Sequence, residues 1–221
     1  MKRFIIPVIA VLVIAGAALA EGCGASSDGG LTEAQQRNND GVEADEAGRP
    51  EAAVALFTEA IELDPALVEA YVNRALALVA LGRFDEALDD ATNAIELEPG
   101  DVNLLARAYA IRSGTLGALG RFDESLDDAT KAIELEPSDV NVLAQAYVNR
   151  SAALAVLGRF DESLDAATKA IELEPSDVNV LAQAYVNRSL ALAELGRLDE
   201  AEADRAKACE LGSKKACDLA P

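Results

Sequence analysis

The stretch YVNRALALVALGRFDEALDDATNAIELEP, Tyr71–Pro99, recurs along the chain, and this recurrence limits the fold more than any other feature. Near copies end at Pro137 and Pro175 and a degenerate one at Pro65, so successive prolines lie 34, 38 and 38 residues apart. Pro137–Ser151 and Pro175–Ser189 are the same 15 residues, and Gly120–Val140 differs from Gly158–Val178 only at Asp128 against Ala166. Copies this alike pack through near-identical interfaces, so they stack on their neighbours rather than close around one core.

Within the unit, Tyr71, Ala75, Leu78 and Leu81 are spaced three and four apart, as one apolar face of a helix requires. Leu76, Val79 and Ala80 fall on another side, so burial on two sides is expected. Gly82 stops this helix, because glycine tolerates the left-handed conformation that ends helices. A second helix begins near Asp85, with Phe84, Ala87, Leu88, Ala91, Ala94 and Ile95 as its apolar stripe. Asp85, Glu86, Asp89, Asp90, Asn93 and Glu96 are expected to face water, the first of them favoured by the helix dipole. Pro99 cannot continue a helix and restricts Glu98 as well. Extra residues in Asp101–Ala108 and its copies precede Tyr109, Tyr147 and Tyr185. Their length, the difference between the 34- and 38-residue steps, is about one helical turn. The first helix of those repeats is therefore expected to be a turn longer, with Asp101, Asp139 and Asp177 near its N-cap.

Through Tyr71, Ala75, Gly82, Phe84, Ala87, Ala94 and Pro99 the unit resembles a tetratricopeptide repeat (TPR). The resemblance implies an all-α fold: a right-handed solenoid over residues 32–213, with helix-turn-helix repeats at about 32–67, 68–99, 100–137, 138–175 and 176–213. A short C-terminal cap over 214–221 is expected to close it. The first repeat keeps Gly41, Gly48, Ala53, Phe57, Ala60 and Pro65, but its first helix is polar, which suits an end repeat facing water. Thr32 with Gln35 has capping-box form, so order should begin near Thr32.

By the same resemblance, a concave groove is lined by Val72, Leu76, Ala110, Gly114, Val148, Ala152, Val186 and Leu190. Asn73, Asn149 and Asn187 are further candidates, either for contact with a ligand backbone or for bonding between repeats. Valine at 72, 148 and 186 replaces the lysine that chaperone-tail-binding relatives carry, so an apolar groove for a helix or an extended apolar peptide is expected. Gly114 and Gly117 make the third repeat the most open place. Arg74, Arg112, Arg150 and Arg188 recur in register, either as a basic stripe for an acidic ligand or as a ladder of ion pairs. The surplus of carboxylates favours the ladder.

At the N-terminus, residues 1–22 read as a targeting segment. Lys2 and Arg3 precede the apolar run Phe4–Ala20, and Ala18-Leu19-Ala20 fits signal-peptidase cleavage. The alternative, a retained membrane anchor, is short for a span and weakened by Pro7 and Gly16. Ala20-Glu21-Gly22-Cys23 resembles a bacterial lipobox, which implies a lipid on Cys23. Glu21 departs from that pattern, so cleavage after Ala20 and lipidation both stay open. Residues 23–31 read as a flexible tether. Cys209 and Cys217 resemble the bridged pairs of cysteine-rich exported helical repeats. That resemblance implies a disulfide in an oxidising compartment, the alternative being two buried thiols.

The formal net charge of −20 repels phosphate backbones and argues against a nucleic-acid partner. No histidine is present, so the commonest general base and metal ligand is missing. The acidic runs Asp85–Asp90, Asp123–Asp128 and Asp161–Asp165 lie on regular helices that spread their carboxylates, and no glycine-centred calcium loop accompanies them. Neither a cofactor nor a metal is expected. The expected function is that of a non-enzymatic scaffold or adaptor of the bacterial cell envelope, binding another protein or peptide through the groove. It would be exported to the periplasm or cell surface, held to the membrane by a lipid or the signal segment. The alternative is a self-assembling structural envelope protein, a homo-oligomer.

Overall fold

The computed structural model describes residues 30–217. The targeting segment, Cys23, nearly all of the tether and residues 218–221 lie outside the described residues. The elements in order are α1 (Glu33–Glu46), α2 (Pro50–Leu63), α3 (Val68–Ala80), α4 (Phe84–Glu96), α5 (Val102–Ala118), α6 (Phe122–Glu134), α7 (Val140–Val156), α8 (Phe160–Glu172), α9 (Val178–Glu194), α10 (Leu198–Glu210) and α11 (Lys214–Cys217). No strand occurs among the described residues. Each helix packs against the next, and the first helices of successive repeats, α1, α3, α5, α7 and α9, also pack on one another. The first helices therefore line one common inner face.

Local chemistry sets the boundaries. Thr32 accepts from the Gln35 amide while the Gln35 side chain accepts from the Thr32 amide, a complete capping box. Asp101, Asp139 and Asp177 cap α5, α7 and α9, each accepting from the amides two and three residues on. These helices have 17 residues against 13 in α3, which is the expected added turn. The added turn also clasps repeats together. Asn103 Nδ2 donates to Ser138 Oγ at 3.1 Å, and its Oδ1 accepts from the Asp139 amide at 3.0 Å. Asn141 repeats this with Ser176 and Asp177 at 3.0 and 3.1 Å.

Small residues let the helices approach. Ala53, Ala60, Ala75, Ala87, Ala91 and Ala94 are completely buried. In the third and fourth repeats serines take this role: Ser113 Oγ donates to Ser125 O at 2.8 Å, and Ser151 Oγ to Ser163 O at 2.9 Å. The buried hydroxyls of these serines therefore tie paired helices together and are themselves satisfied.

Glu98, Glu136 and Glu174, each just before a proline, sit at φ of 47°, 48° and 49°. The left-handed conformation ends α4, α6 and α8 at a residue with a Cβ, where glycine is the usual choice. Glu136→Gly relieves that strain but gives the unfolded chain more freedom. The net expectation is a gain of about 0.5 kcal/mol, read as a higher urea midpoint.

Candidate functional site

The inner face carries the site. Two of its recurring positions behave differently from one another. Val72 and Val148, expected as groove wall, are 0% and 3% exposed, whereas Ala110, at 4%, still lines the groove cavity. Val72 packs with Val68, Ala75, Ala91, Ala94, Ala108 and Ile111, and Val148 with Ala144, Ala170, Val180 and Ala184. These valines are therefore corrected from groove lining to inter-repeat packing, because the following repeat covers them. Val186 is half-buried. One helical turn further on, Leu76 is half-buried, while Gly114, Ala152 and Leu190 are exposed and present the surface.

The asparagines turn inward. Asn73 Nδ2 donates to Asn38 Oδ1 at 3.0 Å, Asn149 Nδ2 to Ala110 O at 2.8 Å and Asn187 Nδ2 to Val148 O at 3.0 Å. Each bridges to the preceding repeat, the inter-repeat bonding left open from sequence. Asn149 Oδ1 still accepts from Gln145 Nε2 at 2.8 Å, so an amide pair marks the groove rim.

A cavity of about 660 Å³ opens on this face across the second to fifth repeats. Leu76, Val79, Ala110, Ile111, Gly114, Val142 and Val180 give it apolar walls, so Leu76, Ala110 and Gly114 of the expected groove residues stand in the lining. Arg107, Asp139, Asn141, Gln145, Asn149, Asp177 and Gln183 give it polar ones. The sequence reading missed Arg107, Asp139, Asn141, Gln145, Asp177 and Gln183. Most of them belong to the added turn, so the residues that lengthen the first helices also furnish the groove. Arg107 stands where the copies have Gln145 and Gln183. It makes no ion pair among the described residues. Crowding by the groove walls pulls its guanidinium below the ordinary arginine value, and the charge of Asp139 opposes that pull. Gly114 leaves the opening: a Cβ there would meet the Asn149 side chain at ordinary contact distance, Nδ2 nearest at 3.5 Å. Gly117 faces the second helix instead, with Ser125 Oγ at 3.5 Å from the same added atom.

The arginine series lies between helices, away from the cavity. Arg74, Arg112 and Arg188 make two-point pairs with Asp90, Asp128 and Asp204, their Nε atoms at 2.7, 2.6 and 2.7 Å from Oδ2. Each of these guanidinium groups also lies over a tyrosine, 5.9, 5.5 and 5.4 Å from the ring centres of Tyr71, Tyr109 and Tyr185. The ladder reading is therefore correct for three arginines. Asp90, assigned to the solvent face by periodicity, is corrected to a buried partner, 4% exposed. The guanidinium pKa values of all three rise, chiefly through these hydrogen bonds, against the opposing effect of burial. On the outside, Arg83, Arg121, Arg159 and Arg197 hold Glu86, Glu124, Glu162 and Glu200, whose carboxyls sit below the usual glutamate range because of those bonds. A disulfide joins Cys209 to Cys217 with 4.8 Å between the Cα atoms, tying α11 to α10. Among the described residues, no cluster of acidic or sulfur side chains is arranged to hold a metal ion. No described helix is long and apolar enough to cross a membrane.

Comparison with known proteins agrees with this geometry. Tetratricopeptide repeat family models match residues 41–102, 106–139, 144–177 and 182–211, which is most of the repeat region. The "Protein SGT1 homolog" of Oryza sativa subsp. japonica is 51% identical over 49 residues, 22% of this chain and 13% of that protein. The chain thus matches only a small part of that relative's length. The crystal structure of MamA superposes with a TM-score of 0.60 at 22% identity, covering 85% of this chain and 96% of that one. YrrB, described as a TPR protein with an unusual peptide-binding site, superposes with a TM-score of 0.57 at 21% identity over 82% of this chain and 88% of its own. At these identities the two structures establish the shared fold alone. The chain belongs to the tetratricopeptide repeat family.

Proposed function

We propose that this protein is a non-enzymatic scaffold of the bacterial cell envelope that holds a polypeptide partner along its inner face. The observation that carries this reading is the cavity of about 660 Å³, where aliphatic walls alternate with side-chain amides. The Gln183 amide both donates and accepts, and Gln145 offers its Oε1, so they can pair with the backbone of an extended segment, while Asn141 is taken up by the clasp to Ser176 and Asp177. The mixed lining replaces the wholly apolar groove expected from sequence. The peptide-binding site described for YrrB offers an analogous use of this fold. Repeats linked by clasps and buried hydrogen bonds favour presentation of a preformed surface over chemistry.

The envelope placement rests on residues 1–23. The positive start, apolar run and Cys23 suit export with lipid attachment, and the Cys209–Cys217 disulfide suits an oxidising compartment. In the native host, the full-length protein is expected to take up labelled fatty acid and fractionate with membranes, and Cys23→Ser to lose both. Absence of label on the wild type removes the lipid attachment; recovery of the wild type in the cytoplasm removes the envelope reading.

A further inference from the structure

Arg150 breaks the ladder. Its three counterparts each grip an aspartate sixteen residues on, but the corresponding residue here is Ala166, 1% exposed. Arg150 Nε is consequently buried with no hydrogen-bond partner among the described residues. Arg150 also lacks, among the described residues, the tyrosine stacking that its three counterparts make. The change is local: in the stretch Gly158–Val178, Ala166 is the only difference from Gly120–Val140.

The surroundings still suit an anion. In the third repeat Lys131 Nζ reaches the same Asp128 carboxylate, at 3.3 Å. Its counterpart Lys169 turns to Glu172, at 2.9 Å, and lies one turn beyond Ala166 on α8. Glu162, whose carboxylate feels the charge of Arg150, is already held by Nε and Nη2 of Arg159 at 2.7 and 2.6 Å. Arg150 as a whole is half-buried, so part of its side chain meets water. Around Arg112, where Asp128 is present, the same helix arrangement leaves an open cavity of about 350 Å³.

We propose that Arg150, supported by Lys169, is a carboxylate-binding site, taking from outside the chain the group that Asp90, Asp128 and Asp204 supply within it. The guanidinium presents Nε and Nη2 as a two-point donor matched to a planar carboxylate, as the sister pairs demonstrate. The ligand is a free monocarboxylate of acetate size or the carboxylate of an acidic side chain. This site is separate from the inner-face groove and does not depend on the function proposed for it.

The test follows the Nε–H resonances of Arg150 and Arg112 by NMR on the full-length chain, titrated with sodium acetate or the α-amide of N-acetyl-aspartic acid, its side-chain carboxylate free (N-acetyl-aspartamide below), against sodium chloride at equal ionic strength. A saturable shift of Arg150, absent at Arg112 and lost in Ala166→Asp, is the expected result. Response to acetate alone assigns the free carboxylate as the source; response to N-acetyl-aspartamide shows that an acidic side chain is admitted. An Arg150 resonance that neither probe moves, or that moves equally in Ala166→Asp, overturns the proposal. Ala166→Asp restores a pair already present in three repeats, so it is expected to keep the fold.

Discussion

Phe57→Ala is expected to destabilise the first repeat by about 3–5 kcal/mol, the cost of a large cavity at a fully buried aromatic. Among the described residues Phe57 is the largest fully buried side chain, at 1% exposure, and packs among Ala44, Ala53 and Ala77. Its ring lies so close to Gly41 that a Cβ there would stand 2.5 Å from Cε1, so the residue against the ring has no side chain that could fill the gap. Stability in a stack is a sum of local and neighbour terms, so the loss should appear first in α1 and α2. Hydrogen exchange should show these two helices losing protection while α7 to α9 keep theirs. Uniform loss along the chain contradicts a nearest-neighbour stack.

The second large effect is an asymmetry within one ion pair. Arg112→Met leaves the Asp128 carboxylate, 3% exposed, without its two-point donor. Breaking a buried pair from this side costs about 3–5 kcal/mol, reduced here to roughly 2–3 because Arg112 keeps an edge in water and Lys131 remains near Asp128. Asp128→Ala reproduces the arrangement of the fourth repeat, where Ala166 faces Arg150. A guanidinium can turn partly to solvent, so this change is expected to cost about 1 kcal/mol. Urea melts of both variants decide the order; equal losses would show that the arginine is as trapped as the aspartate.

The repeat architecture was legible because its signals are local and periodic. Gly82, Pro99 and the Asp101 series mark ends that depend on a few neighbouring residues, and the 38-residue step dictated one added turn. What periodicity could not show was reach. Asp90 lies off the apolar stripe, yet the long side chain of Arg74 meets it between helices, so the acid is buried. Val72 and Leu76 lie one turn apart on the same helix, and only the angle between repeats decides that the first is covered and the second is open. Arg107, Gln145 and Gln183 could have been found by projecting the added turn onto the inner face, since they recur in register there. The clasp from Asn103 to Ser138 and Asp139 spans a repeat junction and required the stacking geometry itself.

The central claim is that a polypeptide is held on the inner face. Site-specific photocrosslinking in the native host tests it, with the crosslinker placed at Gln145 or Gln183 inside the groove and at Asp127 on the outer surface. The expected result is one discrete polypeptide adduct shared by both groove positions, absent from Asp127 and lost when Gly114→Trp fills the cavity. An adduct formed only from Asp127, or unchanged by the filled cavity, contradicts it.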